Sequence, residues 1–358
     1  MRQAGLFGLS DHLKRLSAVG DPLEELGRIV DFESFRPVLV SALAYGSGAK
    51  GGRPPYDPVA MLKVLVLAAQ NNVADARMEY LIRDRLSWLR FLGFDLGAPT
   101  PDANTIRLFR EKLTEAGALD RVFADFDRQL KEGGYLAMGG QIVDATLVAA
   151  PKQRNTVPEK DAIKAGMQAR EIWPDEPARA AQKDTDARWT LKFVKAKPLA
   201  NGRPGIDIAI PSFGYKSSVS ICRTFGFIRK CKVTDGARFD GRMLRDVVTS
   251  ENTASDVWAD TAYRSQANEA WLKRQSRVSR IHRRKPRGKP MPERTTKANA
   301  AKSKVRARVE HVFARQKDQM GLFIRTIGIK RAEAKITLVN LAYNMHRLIF
   351  HERRAVMG

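Results

Sequence analysis

Two short apolar runs in this 358-residue chain are each closed by an aspartate, and that arrangement constrains the fold more than any other feature. Gln141-Ile142-Val143 ends at Asp144, and Val257-Trp258-Ala259 ends at Asp260. Short apolar runs bounded by polar residues predict strands of a buried sheet, so both carboxylates would stand at strand ends. A third acid, Glu310, lies within the very basic helical stretch Lys304-Val305-Arg306-Ala307-Arg308-Val309-Glu310-His311-Val312-Phe313. Two strand-end aspartates and a helical glutamate can converge on a pair of magnesium ions, because hard cations take oxygen ligands. Metals held so would deprotonate an attacking hydroxyl and stabilise the leaving oxygen of an in-line phosphoryl displacement. The expected metal ligands are therefore Asp144, Asp260 and Glu310, with two Mg2+ ions per site and Mn2+ as a substitute. Asp207, Asp235, Asp240 and Asp246 also stand near strand ends or helix starts, so residue type alone does not force the choice. Asp240 is more simply a helix N-cap.

The charge balance names the partner class. Lysine and arginine number 63 against 39 acids, a net charge of +24, which points to a polyanion and to nucleic acid before a membrane surface. With 43% hydrophobic residues the chain can bury real cores, and its length suggests roughly two domains. No apolar run approaches a membrane span, since the longest, 59–69, is broken by Lys63. Asp11 falls where a signal peptide would be apolar. A cytoplasmic, nucleoid-associated protein with no membrane partner is expected. Cys222 and Cys231 match no zinc spacing and read as free buried thiols on neighbouring strands. The five histidines show no metal spacing, and without a Gly-rich phosphate loop no nucleotide cofactor is expected.

The pattern divides the chain at Gly139-Gly140. Residues 1–50 form an N-terminal helical segment that runs into a Gly/Pro/basic linker at 45–55. Residues 51–138 form a helical DNA-binding and dimerisation domain, with helices expected at 59–70, 75–91, 102–117 and 119–133, the first capped by Asp57 with Pro58 behind it. The helix starting at Thr100-Pro101-Asp102 carries Asn104, Arg107 and Arg110 on outer positions, as a recognition helix or as a core helix with a solvated basic face. Residues 139–358 form an α/β domain, with strands expected at 141–145, 206–210, 216–223, 227–233, 256–259 and 278–281 and helices at 240–248 and 265–275. Three early strands followed by alternating helix and strand give the order of an RNase H-like core, a mixed sheet flanked by helices. Residues 151–205 read as an insertion, partly loop. Trp258 and Trp271 read as core, whereas Trp173 and Trp189 could be core or could stack on an unpaired base.

Residues 273–308 hold fifteen lysines and arginines against one acid, Glu293. Such a run repels itself unless phosphates neutralise it, so Arg283, Arg284, Lys285 and Arg287 are expected to contact DNA. On the helix beyond, about 100° per residue puts Arg306 and Lys317 within about 40° of Glu310. That face would hold a scissile phosphate beside the metals, or would simply carry an i,i+4 ion pair.

The wider pattern resembles the DDE transposases of bacterial insertion sequences, specifically the insertion sequence 5 family within the larger group that includes insertion sequence 4. Gly51-Gly52-Arg53-Pro54-Pro55-Tyr56 and Pro101-Asp102-Ala103-Asn104-Thr105-Ile106-Arg107-Leu108-Phe109-Arg110 look like that family's N-terminal helical domain. Ile142-Val143-Asp144-Ala145-Thr146 looks like its first catalytic strand, and Asp184-Thr185-Asp186-Ala187-Arg188-Trp189-Thr190 like the segment before strand two. Phe213-Gly214-Tyr215-Lys216 is similar to the opening of strand two, and Ala259-Asp260-Thr261-Ala262-Tyr263-Arg264-Ser265 to the second catalytic block. Arg306, Glu310 and Lys317 match the family form Tyr-x2-Arg-x3-Glu-x6-Lys in register. Ser303 stands at its tyrosine, Ser217-Ser218 where a histidine or asparagine is common, and Phe239-Asp240 where His-Asp is common.

The resemblance implies a transposase whose catalytic set is Asp144, Asp260, Glu310, Arg306 and Lys317, with Lys216 and Arg264 among the DNA contacts. It implies cleavage at the terminal inverted repeats of an element and attack of the freed 3′-hydroxyl on double-stranded target DNA, within a homodimer. The alternatives are a transposase-derived DNA-binding regulator and a structure-specific nuclease on the same core.

Overall fold

A computed structural model of the chain describes residues 8–44, 54–194 and 208–357. The linker expected at 45–55 lies outside these residues apart from Pro54 and Pro55, as do the end of the insertion and Asp207. The chain divides into two compact units, one of 1–136, 318–321 and 337–358, the other of 137–317 and 322–336.

The first unit is helical: α1 Gly8–Val19, α2 Pro22–Ile29, α3 Arg36–Leu43, α4 Pro58–Asn71, α5 Asp75–Asp84, α6 Leu86–Leu92, α7 Ala103–Glu115 and α8 Ala118–Glu132. Asp57 accepts hydrogen bonds from the Val59 and Ala60 amides, both at 2.9 Å, and Pro58 fills the first turn. Behind that cap α4 is apolar nearly all round and buries ten residues, which makes it the centre of the unit. The single helix expected at 75–91 is two, because Arg85 is extended between α5 and α6. Asp102 caps α7 through the Thr105 amide at 2.6 Å, and Ile106, Phe109 and Leu113 bury its inner stripe.

The second unit holds a mixed sheet flanked by helices. Its strands are β1 Gln141–Ala149, β2 Arg188–Val194, β3 Ile208–Cys222, β4 Ile228–Asp235, β5 Asp256–Trp258 and β6 Val278–Ser279. β1 pairs antiparallel with β3 and parallel with β5, and β6 continues parallel to β5. β3 is one fifteen-residue strand where two were expected; it carries β2 along its first half and β4 along its second, both antiparallel. Gly214 makes that continuity possible: its φ is +152°, and a β-carbon there would run into the Val148 carbonyl oxygen of β1.

The insertion is more ordered than its weak periodicity suggests. Short helices α9 Val157–Lys164, α10 Ala169–Ile172 and α11 Pro177–Gln182 close over Ile163, Trp173 and Ala180. Trp173 is core, its indole N–H donating to Glu159 at 2.9 Å, whereas Trp189 on β2 is 39% exposed beside Phe213.

Two motifs of the sequence meet here. Buried Asp184 accepts the Tyr215 hydroxyl at 2.6 Å and the amides of Asp186 and Ala187, while Asp186 accepts the Ile329 amide at 2.9 Å. Ile329 begins the last helix, which runs to Met357, so these acids tie β3 to a helix start and are not spare metal ligands. Tyr215→Phe leaves Asp184 short of a donor in a buried site and should lower stability by about 1–3 kcal/mol, read as a shift in the denaturant midpoint.

One face of the sheet is apolar. Val143, Val257, Ala259 and Ile281 pack with Tyr263, with Leu244 and Val247 of α12 (Leu244–Val247) and with Leu272 of α13 (Gln266–Arg274). Fully burying each aliphatic side chain contributes about 1.5–3 kcal/mol, which fixes the strands that carry the aspartates. α14 (Glu293–Ala314) packs on β1 and β5. Cys222 and Cys231 form no disulfide and lie on the paired strands β3 and β4; Cys222 is buried, but Cys231 only half so.

Candidate active site

The parallel ladder brings the two aspartates level. Gln141 pairs with Val257 and Ile142 with Trp258, so the same register carried two residues on sets Asp144 beside Asp260. Side chains alternate along a strand, so Asp144 and Asp260 turn to the face opposite Val143 and Ala259. Asp260 caps the short 3-10 turn Thr261–Tyr263 through the Ala262 amide at 2.8 Å, and Asp144 accepts its neighbour Ala145's amide at 2.9 Å.

Arg306 of α14 joins the third acid to this pair. Its guanidinium donates to Asp144 at 2.5 Å and to Glu310, one turn along the same helix, at 2.6 Å. Asp144 is 13% exposed, Arg306 22% and Glu310 57%. Burial pushes the Asp144 carboxyl up to about 6, against the pull of Arg306 and the Ala145 amide, and the Asp260 charge pushes it further the same way. A half-buried cation thus already stands between two of the three carboxylates. Among the described residues no three His, Cys, Asp or Glu side chains are gathered into a metal-holding group. The chemistry of the set still suits a hard cation: its donors are all oxygen, and two aspartates of like charge stand level.

Comparison with known families shows what kind of chain carries these residues. The family described as Transposase domain (DUF772) matches residues 11–112, and the family described as Transposase DDE domain matches residues 136–345. The chain belongs to the DDE transposase family. No solved structure matches it.

Within this transposase the other candidate residues separate by environment. Lys317 lies beyond the end of α14, in a π-helical turn, Arg315–Gln319, so the uniform rotation that put it on the Glu310 face does not hold past Ala314. It is exposed. Lys216 is mostly buried, with its ammonium on the Arg238 carbonyl and the Asp240 carboxylate, each at 2.8 Å. Asp240 therefore serves as an ion-pair partner and not as a helix cap. Ser217 and Ser218 are both buried on β3. Ser303 is exposed.

Arg283, Arg284, Lys285 and Arg287 are all exposed between β6 and α14. Arg284 donates to the Thr261 carbonyl at 3.1 Å, which brings this basic segment against the residue after Asp260.

In the helical unit Asn104 and Arg107 are hydrogen-bonded to each other at 2.7 Å, and Arg107 is exposed. Arg110 differs from expectation: it grips Asp75 of α5 with both nitrogens, at 2.7 and 2.6 Å, and each side chain is 21% exposed. The pairing holds α7 to α5. Arg110→Ala is expected to cost about 2 kcal/mol of stability through lost charge-assisted hydrogen bonds. Arg107→Ala should spare stability and, if α7 reads base edges, cut the preference for element ends about tenfold or more. Competition binding with scrambled duplexes, beside melting curves, separates the two.

Testing histidines only for metal spacing passes over His282. It closes the expected strand 278–281 just as Asp144 and Asp260 close theirs, and that rule finds it. Its amide donates to the Ala259 carbonyl at 3.1 Å, which sets it alongside Asp260. Burial, then Arg306 and Lys302, holds the imidazole below its usual range.

Proposed function

We propose that the chain cuts DNA at the ends of an insertion sequence of the insertion sequence 5 type and joins the freed 3′-hydroxyl to target DNA, as a homodimer on its DNA. The observation that carries this reading is the level pair Asp144 and Asp260, with Glu310 tethered beside them through Arg306. The sheet order supports an RNase H-like core: β1 lies between an antiparallel β3 and a parallel β5, with β4 and β6 outside them.

Asp144, Asp260 and Glu310 would hold two Mg2+ ions, which when bound activate the attacking hydroxyl and stabilise the leaving oxygen. Arg306 then exchanges its carboxylate partners for the phosphate being cut, and the bidentate guanidinium suits that exchange. Lys317 adds a second cation on the DNA side. The helical unit supplies end recognition through α7, and no helix among the described residues is long and apolar enough to cross a membrane.

Titration of Asp144 gives this reading a pH signature. Between the ordinary aspartate value and about 6, the native chain keeps a proton that the unfolded chain has released. This site therefore favours folding less as pH rises through that window. Metal binds the deprotonated form, so Mn2+ affinity followed by electron paramagnetic resonance should rise by up to about tenfold per pH unit until about pH 6 and level off above it. A flat profile from pH 5 to 8 in wild type would remove Asp144 from the ligand set.

A strand-transfer assay with element-end duplexes, target plasmid and magnesium tests the function as a whole. Joined products are expected; cleavage without joining would make the chain a nuclease, and binding without cleavage a regulator.

A further inference from the structure

The row that begins with Asp144 and Asp260 has a third member. Asp256 pairs with Val278 and Val257 with Ser279, and the ladder continues through the Arg280 amide on the Val257 carbonyl and the His282 amide on that of Ala259. Ile281 turns into the apolar core beside Ala259, so His282 turns to the opposite face with Asp260. Its Nε2 is buried and has no hydrogen-bond partner.

Cations gather beside this histidine: after burial, Arg306 and Lys302 act on its imidazole, and Asp260 acts the other way. The Ile281 carbonyl oxygen accepts from the Lys302 ammonium at 3.0 Å and from the Arg264 guanidinium at 3.1 Å. Arg283 follows in the chain, and Arg306 lies one helical turn beyond Lys302 on α14. Of the acids nearby, Asp260 acts on the imidazole and accepts the Ala262 amide, Glu269 stands 3.5 Å from Arg264, and Asp256 holds Arg280 at 2.6 Å. Lys302 is held below its usual range by burial first, and then by Arg264, Arg283 and Arg280. Like charges gathered in a half-buried place repel one another, and an anion is the group that relieves them. An ammonium has three donors and Lys302 spends one on Ile281, so donors remain for an oxyanion.

We propose that His282, Lys302 and Arg264 seat one DNA phosphate, the neighbour of the one being cut, with His282 Nε2–H and the Lys302 ammonium donating to its non-bridging oxygens. The proposal rests on the transposase reading for the course of the strand past Asp260. It assigns His282 to the substrate and leaves the metals to the carboxylates.

The test uses the full chain and a fluorescent duplex of about 30 base pairs and unrelated sequence, long enough to cover several phosphate contacts, titrated at several salt concentrations without divalent metal. Lys302→Met is expected to lower the slope of log affinity on log salt by about 0.9, the value for one phosphate neutralised. His282→Leu should weaken binding about tenfold with the slope unchanged, because a neutral imidazole loses a hydrogen bond to a charged oxygen and no charge. His282→Gln, which can return an N–H near the same place, should recover most of that loss. Recovery by Gln also excludes a general loss of fold as the cause.

Binding by His282→Leu within twofold of wild type, a Gln variant no better than Leu, or an unchanged Lys302→Met slope would each overturn the seat. Failure of the transposase reading would show elsewhere, as cleavage that survives Asp144→Asn.

Discussion

Asp144→Asn, Asp260→Asn and Glu310→Gln are each expected to abolish magnesium-dependent cleavage and joining while leaving affinity for element ends within a few-fold of wild type. Each substitution is nearly isosteric and removes one negative oxygen from the set. Loss of several kcal/mol of charge stabilisation in the transition state corresponds to roughly a thousandfold or more in rate. Arg306 makes the three variants differ in a second readout. Asp144→Asn weakens one of its two partners and Glu310→Gln the other, whereas Asp260 is engaged with the Ala262 amide. Asp144 is buried, so Asp144→Asn also removes a carboxylate that burial disfavours, and its melting temperature should hold or rise slightly near neutral pH. Single-turnover cleavage of a labelled end duplex decides the point: near wild-type rates in any one variant would remove that residue from the ligand set.

The elements that position the aspartates were legible because short apolar runs closed by a polar residue have few other uses. The cap of α4 was legible too, Asp57 acting as its position suggests. What the sequence hid was tertiary. The β3 strand looks interrupted because Pro211 and Gly214 break its pattern, yet pairing with β1, β2 and β4 carries it through. Asp184 and Asp186 read only as part of the segment before strand two, and the closeness of Tyr215 and Ile329 shows them as a clamp. Arg110 sits on an outer position of its helix by spacing, but α5 lies against that position and supplies Asp75. Lys317 stands in a π turn beyond the end of α14, which no periodicity argument anticipates.

Neutralising Arg283, Arg284, Lys285 and Arg287 together is expected to flatten the salt dependence of DNA binding by up to about 3.6 in slope, from about 0.9 per phosphate neutralised. Across a fourfold change in salt that difference amounts to roughly a hundredfold in affinity. The structure divides the four residues into two pairs. Arg283 is fixed in place because Asn299 of α14 receives its amide at 3.1 Å and returns a hydrogen bond to its carbonyl at 2.9 Å. Arg284 is fixed by its contact with Thr261, next to Asp260. Lys285 and Arg287 stand in the exposed stretch before α14. If the segment tracks DNA into the site, Asn299→Ala should weaken binding with the slope preserved, because it frees the backbone of Arg283 without removing a charge. If the segment attracts DNA only as a diffuse cloud of charge, Asn299→Ala should change nothing while the fourfold neutralisation still flattens the slope. An unchanged slope in the fourfold variant would mean that the segment does not touch DNA, and that the net charge of +24 acts through other surfaces.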